Sequence, residues 1–360
     1  MNTTLLDKSV KVLLVLFLSL TLLYYGKPFL VPFLIASLLA MLVLPLCAKM
    51  ERKMNKALAA SISLLLVLAA ISLIISVFAW QVADISEKAP EIQKNITKKI
   101  TQLREFATNK LGISEQKQQQ IIQEQQHSST GKFSSIMSGL ASSFGSFLTD
   151  FLIVIVYIFL FLLFRTHLQR FVLKLVPKDE QSNAQTIMHD VRRVSQKYLT
   201  GLALMIGCLW VMYGIGFSIV GVDNAIFFAI LCGLLEIVPF VGNLTGVGIT
   251  LLMTLAQGGN TNMLIGILIT YSIVQFTQSY ILEPMIVGRE ISINPVFTIV
   301  GIVGGELLWG IPGMILALPL LGIIKIVCDH IEPLKPFGYL IGEEKQQESK
   351  GGSRLKKIFK

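Results

Sequence analysis

Two glutamates, Glu236 and Glu306, each lie inside a long apolar stretch of the chain, at residues 224–256 and 292–324. An ionised carboxylate is costly in hydrocarbon, so acids within membrane segments usually face a cavity or a polar partner. Both side chains could therefore bind and release a proton, or hold a cation. The structural alternative is that each glutamate hydrogen-bonds the backbone of a broken helix and only ties its tip.

The two stretches also resemble each other in sequence. Three residues recur at an offset of 70, since Asn224, Phe227 and Glu236 are matched by Asn294, Phe297 and Glu306. Glycine and proline interrupt both stretches, at 239–242 and at 310–313. Broken apolar segments at corresponding positions of an internal repeat indicate the binding site of a transporter. We therefore interpret the stretches as paired, broken helical segments that line a transport path.

The composition places this chain in a membrane. Of its 360 residues, 53% are hydrophobic and only 15% are charged, with a mean hydropathy of +0.68. Soluble domains have about 25% charged residues. Several uncharged runs are long enough to cross a bilayer. The net charge of +9 then indicates basic cytoplasmic loops and tails rather than a nucleic-acid partner.

Patterns typical of metal, cofactor or enzyme chemistry are missing from the sequence. The four cysteines form no CxxC pair, and the four histidines form no HxxxH or HExxH arrangement. No GxxxxGK[ST] phosphate-binding loop occurs, so the chain has no recognisable ATP motor. We expect neither a cofactor nor a metal, and no enzymatic activity.

Apolar runs predict an all-α polytopic membrane protein with about six full transmembrane helices and two re-entrant helical hairpins. The predicted helices cover residues 10–25, 29–47, 57–80, 147–164, 199–222 and 263–282. The arms of the first hairpin, 225–237 and 244–256, have 13 residues each. Each arm would span about 20 Å, short of the roughly 30 Å hydrocarbon core. The alternative is eight transmembrane helices.

Charge bias predicts the orientation. Basic residues dominate 49–56 and 165–197, which places both segments and both termini in the cytoplasm. The two hairpins then enter the membrane from opposite sides. We divide the chain into three N-terminal helices (1–80), an extracytoplasmic amphipathic and polar segment (81–146), a fourth helix with a basic connector (147–198), a transport core (199–330) and a basic cytoplasmic tail (331–360).

Candidate site residues are the polar and helix-breaking residues of the hairpins and of the polar side of the sixth helix. The predicted substrate- or ion-binding residues are Glu236, Pro239, Gly242, Asn243, Gln275, Gln278, Glu306, Gly310, Pro312 and Gly313. Gating or structural roles are predicted for Glu283, Pro284, Arg289, Asn224 and Asn294. Here Glu283 and Arg289 would form an interfacial latch. The two asparagines are expected to be helix N-caps, and the Gly-rich pattern of 301–313 favours close helix packing.

Several motifs in the C-terminal half resemble the autoinducer-2 exporter (AI-2E) family of permease-like proteins. They are ILEPMIVG at 281–288, NP at 294–295, GGELLWGIPG at 304–313 and LP at 318–319. The segment EIVPFVG at 236–242 is similar to the family's IPxxG motif. Asn243 stands where many members have proline, and Glu236 where many have an uncharged residue.

That resemblance implies a secondary exporter of a small polar solute such as autoinducer-2 in the bacterial inner membrane. It also implies elevator-like motion and a homo-oligomer, with a pentamer suspected. A sodium (or potassium)/proton antiporter is the alternative, and Glu236 favours coupling to a cation or a proton. A non-transporting membrane scaffold is the second alternative, although it does not explain two acids at matching positions. A passive channel also remains open.

Overall fold

The computed structural model describes residues 3–88, 90, 92, 94, 95, 101, 151–238, 241–287 and 293–343. These residues are almost entirely helical, and they form no named strand. This confirms the prediction of an all-α polytopic membrane protein. Most of the 81–146 segment and the tail beyond residue 343 lie outside the described residues, so the predictions made for them stay predictions.

The described helices are numbered in chain order. They are α1 (Thr3–Tyr25), α2 (Lys27–Met50), α3 (Lys56–Glu87), α4 (Phe151–Leu175), α5 (Gln181–Val220), α6 (Ala225–Leu235), α7 (Val241–Ala256), α8 (Thr261–Thr277), α9 (Pro295–Trp309), α10 (Ile311–His330) and α11 (Lys335–Ile341). Helix α8 continues in wider π-type turns over Gln278–Val287, and a 3₁₀ turn covers Glu332–Leu334.

The chain divides into two compact units. The first unit comprises Met1–Leu34, Phe164–Thr200 and Val287–Lys360, and it contains the contacts of α9 with α10 and of α10 with α11. The second comprises Ile35–Leu163 and Gly201–Ile286, and it contains the contacts of α6 with α7, α7 with α8, and α3 with α6. The two predicted hairpins therefore belong to different units.

Small side chains build the core that α2, α3 and α4 share in the second unit. Ala36, Ala59 and Ala60 are fully buried there, together with Cys47. Small residues let helices approach closely, which is how helices associate when lipid removes the hydrophobic driving force between them. Cys47, Cys232 and Cys328 are buried, Cys208 is half-buried, and none of the four forms a disulfide.

Six described helices are long and apolar enough to cross a membrane by length and composition. They are Lys27–Met50, Lys56–Ile85, Phe151–Leu175, Gln181–Val220, Thr261–Ile286 and Ile311–His330. The number of six is confirmed, but the membership differs from the sequence prediction. The apolar part of α1, Val10–Tyr25, is among the shorter helices, whereas α10 qualifies because its 20 residues contain no break after Gly310.

The predicted basic connector at 165–197 is largely helical. Helix α4 continues to Leu175, and α5 begins at Gln181 and runs for 40 residues, so the predicted fifth helix is only its C-terminal half. The turn between them contains Pro177. The charged side chains marked the ends of the apolar runs and therefore of the predicted helices. A helix can continue beyond the membrane through such residues, as α5 does.

The two broken segments differ in geometry. In the first, α6 has 11 residues and α7 has 16, and residues 236–238 form a turn after α6. In the second, α9 has 15 residues and α10 has 20, and Gly310 separates them with a φ of 69°. Helices α6 and α7 are both short of a full crossing, as the re-entrant hypothesis requires, whereas α10 is long enough to span.

The paired asparagines also differ. Asn294 is the predicted N-cap, because its side chain accepts a hydrogen bond from the Val296 N–H at 2.9 Å. Asn224 occupies the predicted N-cap position of α6, but it adopts a left-handed conformation (φ 57°) and its side chain makes no capping hydrogen bond. Its amide instead donates to Gln81 Oε1 at 2.8 Å and to Asp84 Oδ2 at 2.7 Å. These contacts join the start of α6 to the end of α3.

Candidate functional site

Glu236 lies at the break between α6 and α7. Helix α6 is an unbroken run of apolar and small residues that ends at Leu235, and the chain turns at 236–238 before α7 begins at Val241. This turn carries the only charged group between Ala225 and Ala256. Pro239 lies outside the described residues, so its predicted role stays a prediction.

The glutamate carboxylate receives a hydrogen bond from the polar side of α8. Gln278 Nε2 donates to Glu236 Oε1 at 2.7 Å, and the Gln278 side chain is only 2% exposed. A bond to a charged acceptor is stronger than one between neutral groups. Glu236 is therefore held against α8 in the second unit by a side-chain contact outside its own hairpin.

A chain of hydrogen bonds surrounds Asn243, which is buried in the first turn of α7. Its Oδ1 accepts from the Tyr213 hydroxyl at 3.2 Å, and its Nδ2 donates to Gln275 Oε1. Gln275 Nε2 in turn donates to the Ser279 hydroxyl at 3.2 Å. Because every amide both accepts and donates, each bond fixes the orientation of the next amide along the chain.

Together these contacts form a polar cluster, defined as Glu236, Asn243, Gln275 and Gln278 with Tyr213 and Ser279. The first four were predicted as site residues, and the structure brings them together within one unit. Gln278 Oε1 is buried and has no hydrogen-bond partner among the described residues. An unpaired buried acceptor costs about 1–3 kcal/mol. The cluster can therefore accept one more donor or a cation at this atom.

Helix α8 positions Gln275 and Gln278 by changing its pitch between them. The α-helical part ends at Thr277, and the π-type turns that follow contain Pro284. Proline lacks the N–H that an α-helical ladder needs and clashes with the preceding turn. Local π-type turns in helices often occur at functional sites. The polar side of this helix was predicted, but its change of pitch was not.

Gly242 lies at the closest approach of the two arms of the hairpin, and its predicted binding role stays a prediction. A Cβ at this position would lie 1.7 Å from the carbonyl oxygen of Leu235, the last residue of α6. Only glycine permits this approach of the two backbones. Gly242 thus brings Asn243 and Glu236 to the same end of the hairpin.

The remaining predicted binding residues belong to the first unit. Glu306 is exposed on α9, and its side chain has no partner among the described residues. Gly313 packs α10 against α9, since a Cβ there would lie 1.9 Å from the Gly305 carbonyl oxygen. Gly310 supplies the left-handed break, and Pro312 lies in the first turn of α10. Close packing accounts for Gly313 and the positive φ for Gly310, while the binding roles predicted for Gly310, Pro312 and Gly313 stay predictions.

The predicted latch lies partly outside the described residues. Glu283 and Pro284 are exposed in the π-type turns, whereas Arg289 is not described, so their ion pair stays a prediction. Among the described residues, no group of three or more His, Cys, Asp or Glu is placed to hold a metal ion.

Sequence reasoning missed Tyr213 and Ser279. Tyr213 is 1% exposed and lies in the apolar C-terminal part of α5, where an aromatic residue is expected to pack in the core. Its hydroxyl was the available signal, because a buried tyrosine O–H usually finds a partner. Ser279 was detectable only by its spacing, four residues after Gln275.

We expect Tyr213→Phe to lower the free energy of unfolding by about 1–3 kcal/mol, because the buried Asn243 Oδ1 loses its donor. Thermal unfolding of the purified protein in detergent measures this loss. Tyr271→Phe is the matched control, since the Tyr271 hydroxyl makes no hydrogen bond within the described chain. Equal unfolding temperatures for Tyr213→Phe and wild type would show that the hydroxyl does not organise the cluster.

A polytopic bundle of apolar helices with a hydrogen-bonded polar cluster at a broken helix defines the class of membrane transporters. The sequence profile of the AI-2E family transporters matches residues 12–332. The chain therefore belongs to the AI-2E transporter family.

Relatives of known name agree with this assignment. The chain is 30% identical over 156 residues to "Putative transport protein YrrI" of Bacillus subtilis, which covers 43% of this chain and 44% of the relative. A transport protein of Borreliella burgdorferi, named in the same terms, is 28% identical over 41% of each chain. YhhT of Escherichia coli K12, also so named, is 24% identical over 79% of each chain. The first two matches thus span less than half of those relatives.

Proposed function

We propose that this protein is a secondary transporter that exports a small polar solute, with autoinducer-2 as the candidate cargo. The observation that carries the proposal is the polar cluster, in which one carboxylate and three amides meet at the break between α6 and α7. Polar groups in a membrane helix are expensive, and their usual reason is a substrate or ion pathway. Apolar residues would pack these helices equally well.

The chemistry of the cluster suits a hydroxylated solute. Amide side chains both donate and accept hydrogen bonds, as hydroxyl groups do. The unpaired Gln278 Oε1 offers an acceptor to such a solute, and the exposed part of Glu236 offers a second. A solute hydroxyl would donate a hydrogen bond to either of these atoms during binding.

Alternating access would follow from motion of the broken segments. The short helices α6 and α7 support a re-entrant hairpin, whose non-helical tip is tolerated only when it is buried or faces a cavity. In an elevator-like cycle this hairpin would carry the cluster across the membrane. A binding role for Glu306 on α9 stays a prediction. The family resemblance supports a homo-oligomer, with a pentamer suspected.

The setting that we propose is a bacterial inner membrane with both termini in the cytoplasm, as the basic segments indicate. The partners are then the lipid bilayer, the solute and a coupling proton or sodium ion.

A sodium (or potassium)/proton antiporter is the second candidate function. It is favoured by Glu236, because Oε1 accepts from Gln278 while Oε2 makes no hydrogen bond within the described chain. That oxygen and Gln278 Oε1 are both hard ligands of the kind that alkali cations take. A non-transporting scaffold would not use either atom.

The test is efflux from vesicles that contain the reconstituted protein and are loaded with autoinducer-2, with and without an imposed proton gradient. We expect saturable efflux that the gradient drives. Absence of efflux from correctly folded protein would remove this cargo. The same vesicles with a pH dye and pulses of sodium or potassium then test antiport, and linear, non-saturating flux would indicate a passive channel.

A further inference from the structure

A second polar group lies at the other end of α6, away from the cluster around Glu236. A cavity of about 360 Å³ is lined there by Trp80, Gln81, Asp84, Ser218 and Asn224, together with the first two residues of α6. All of these residues belong to the second unit. The size is within the range of small-molecule sites.

Asn224 connects the other polar side chains that line this cavity. Its left-handed backbone turns the chain into α6, and its amide hydrogens are both used, on Gln81 Oε1 and Asp84 Oδ2. Gln257 Nε2 approaches Asn224 Oδ1 at 3.4 Å from the end of α7. These contacts hold the side chains of Gln81 and Asp84 in place without any ligand.

The atoms that remain unused point to a ligand. Gln81 is only 7% exposed and lines the cavity, yet within the described chain its Nε2 has no hydrogen-bond partner. Asp84 makes all its described contacts through Oδ2, which leaves Oδ1 unpaired. The Ser218 hydroxyl is exposed and unbonded within the described chain. The cavity therefore offers a donor, an acceptor and a group that can be either.

Charge narrows the class of ligand. An anion would meet the Asp84 carboxylate, and a cation would compete with Lys88, whose Nζ already lies 2.9 Å from Asp84 Oδ2. A neutral molecule avoids both costs. Trp80 is 69% exposed beside these groups and presents an apolar ring face with a polar N–H edge.

We propose that this cavity is a second solute site that binds a neutral, polyhydroxylated small molecule. The ring of Trp80 packs against the carbon skeleton, while Gln81 Nε2 donates to one hydroxyl and Asp84 Oδ1 accepts from another. This inference rests on the proposed function in one respect, which is that the transported solute is taken to be a neutral, polyhydroxylated molecule. Binding at equilibrium can be measured without transport, so the two proposals fail separately.

The experiment is calorimetric titration of the purified chain in detergent with ribose, a neutral polyhydroxylated sugar. Choline and inorganic phosphate are the cationic and anionic comparators. We expect saturable binding of ribose and weaker binding of both ions. Gln81→Glu keeps the acceptor for Asn224 but removes the free donor, so it should weaken ribose binding about tenfold. Trp80→Leu changes only an exposed side chain and should weaken it as well.

Ser218→Ala is a third test variant, which removes the hydroxyl from the cavity. Ser272→Ala is its matched control, because the Ser272 hydroxyl donates to the Leu268 carbonyl of its own helix. We expect weaker ribose binding for Ser218→Ala and unchanged binding for Ser272→Ala. Absence of ribose binding to folded wild type, or tighter binding of choline or phosphate, would overturn the proposal. Wild-type affinity of Trp80→Leu for ribose would also overturn it. Loss of ribose binding in Glu236→Gln together with normal binding in Gln81→Glu would place ribose at the cluster around Glu236 instead.

Discussion

Gly242→Ala should abolish transport and lower the free energy of unfolding by about 3 kcal/mol or more. The added Cβ would lie 1.7 Å from the Leu235 carbonyl oxygen, which is backbone and cannot rotate away. The start of α7 must then move from the end of α6, and Asn243 moves with it. Thermal unfolding in detergent and solute efflux from vesicles measure the two effects.

The matched control is Gly248→Ala in the same helix. A Cβ there meets no atom within 4 Å, so the ordinary gain of about 0.5–1 kcal/mol from replacing a helical glycine applies. The two substitutions are therefore expected to have opposite signs. If Gly242→Ala were as stable and as active as Gly248→Ala, the close approach of α6 and α7 would not exist.

Gly313→Ala should have a comparable effect in the first unit. Its Cβ would lie 1.9 Å from the Gly305 carbonyl oxygen, at the place where α10 packs directly against α9. Two backbones in contact leave no side chain that could adjust, so the helices must separate. We expect the unfolding temperature to fall and the amount of folded protein in the membrane to decrease, as measured by thermal unfolding and by quantitative blotting.

Gly304→Ala is the corresponding control, because a Cβ there has no neighbour within 4 Å although it is one residue from Gly305. We expect this variant to fold as wild type does. Equal loss in both variants would mean that α9 tolerates no added methyl group anywhere, and the specific contact with Gly313 would then carry no weight.

Hydrophobicity and helix breakers allowed most of the fold to be predicted from the sequence. Runs of uncharged residues located the apolar helices, and the Pro–Gly segments located the ends of α6 and α9. Charges were less informative about helix ends, because they mark the membrane boundary only. For this reason α5, with 40 residues, was predicted as a connector and a separate helix.

The candidate site was predicted only in part. Glu236, Asn243, Gln275 and Gln278 are conspicuous because each is polar in an apolar segment, and the structure brings all four together. The orientation of the Asn243 amide depends on the Tyr213 hydroxyl, and Tyr213 looks like a core residue in sequence. The repeat at an offset of 70 predicted equal roles for Asn224 and Asn294, but only the Asn294 side chain makes a capping hydrogen bond to its helix. The Asn224 side chain instead bonds Gln81 and Asp84, which are distant in sequence, and the local repeat could not reveal these partners.

The central claim is that Glu236 acts in transport and does not only stabilise the hairpin. The most direct test is gradient-driven efflux of autoinducer-2 by Glu236→Gln, which keeps the shape of the side chain and an oxygen for Gln278 Nε2 but removes the acid. Glu180→Gln is the charge-matched control, since Glu180 is exposed in the turn between α4 and α5. We predict that folded Glu236→Gln loses gradient-driven efflux while Glu180→Gln retains it. Equal efflux by wild type and both variants would contradict a role for Glu236 in coupling.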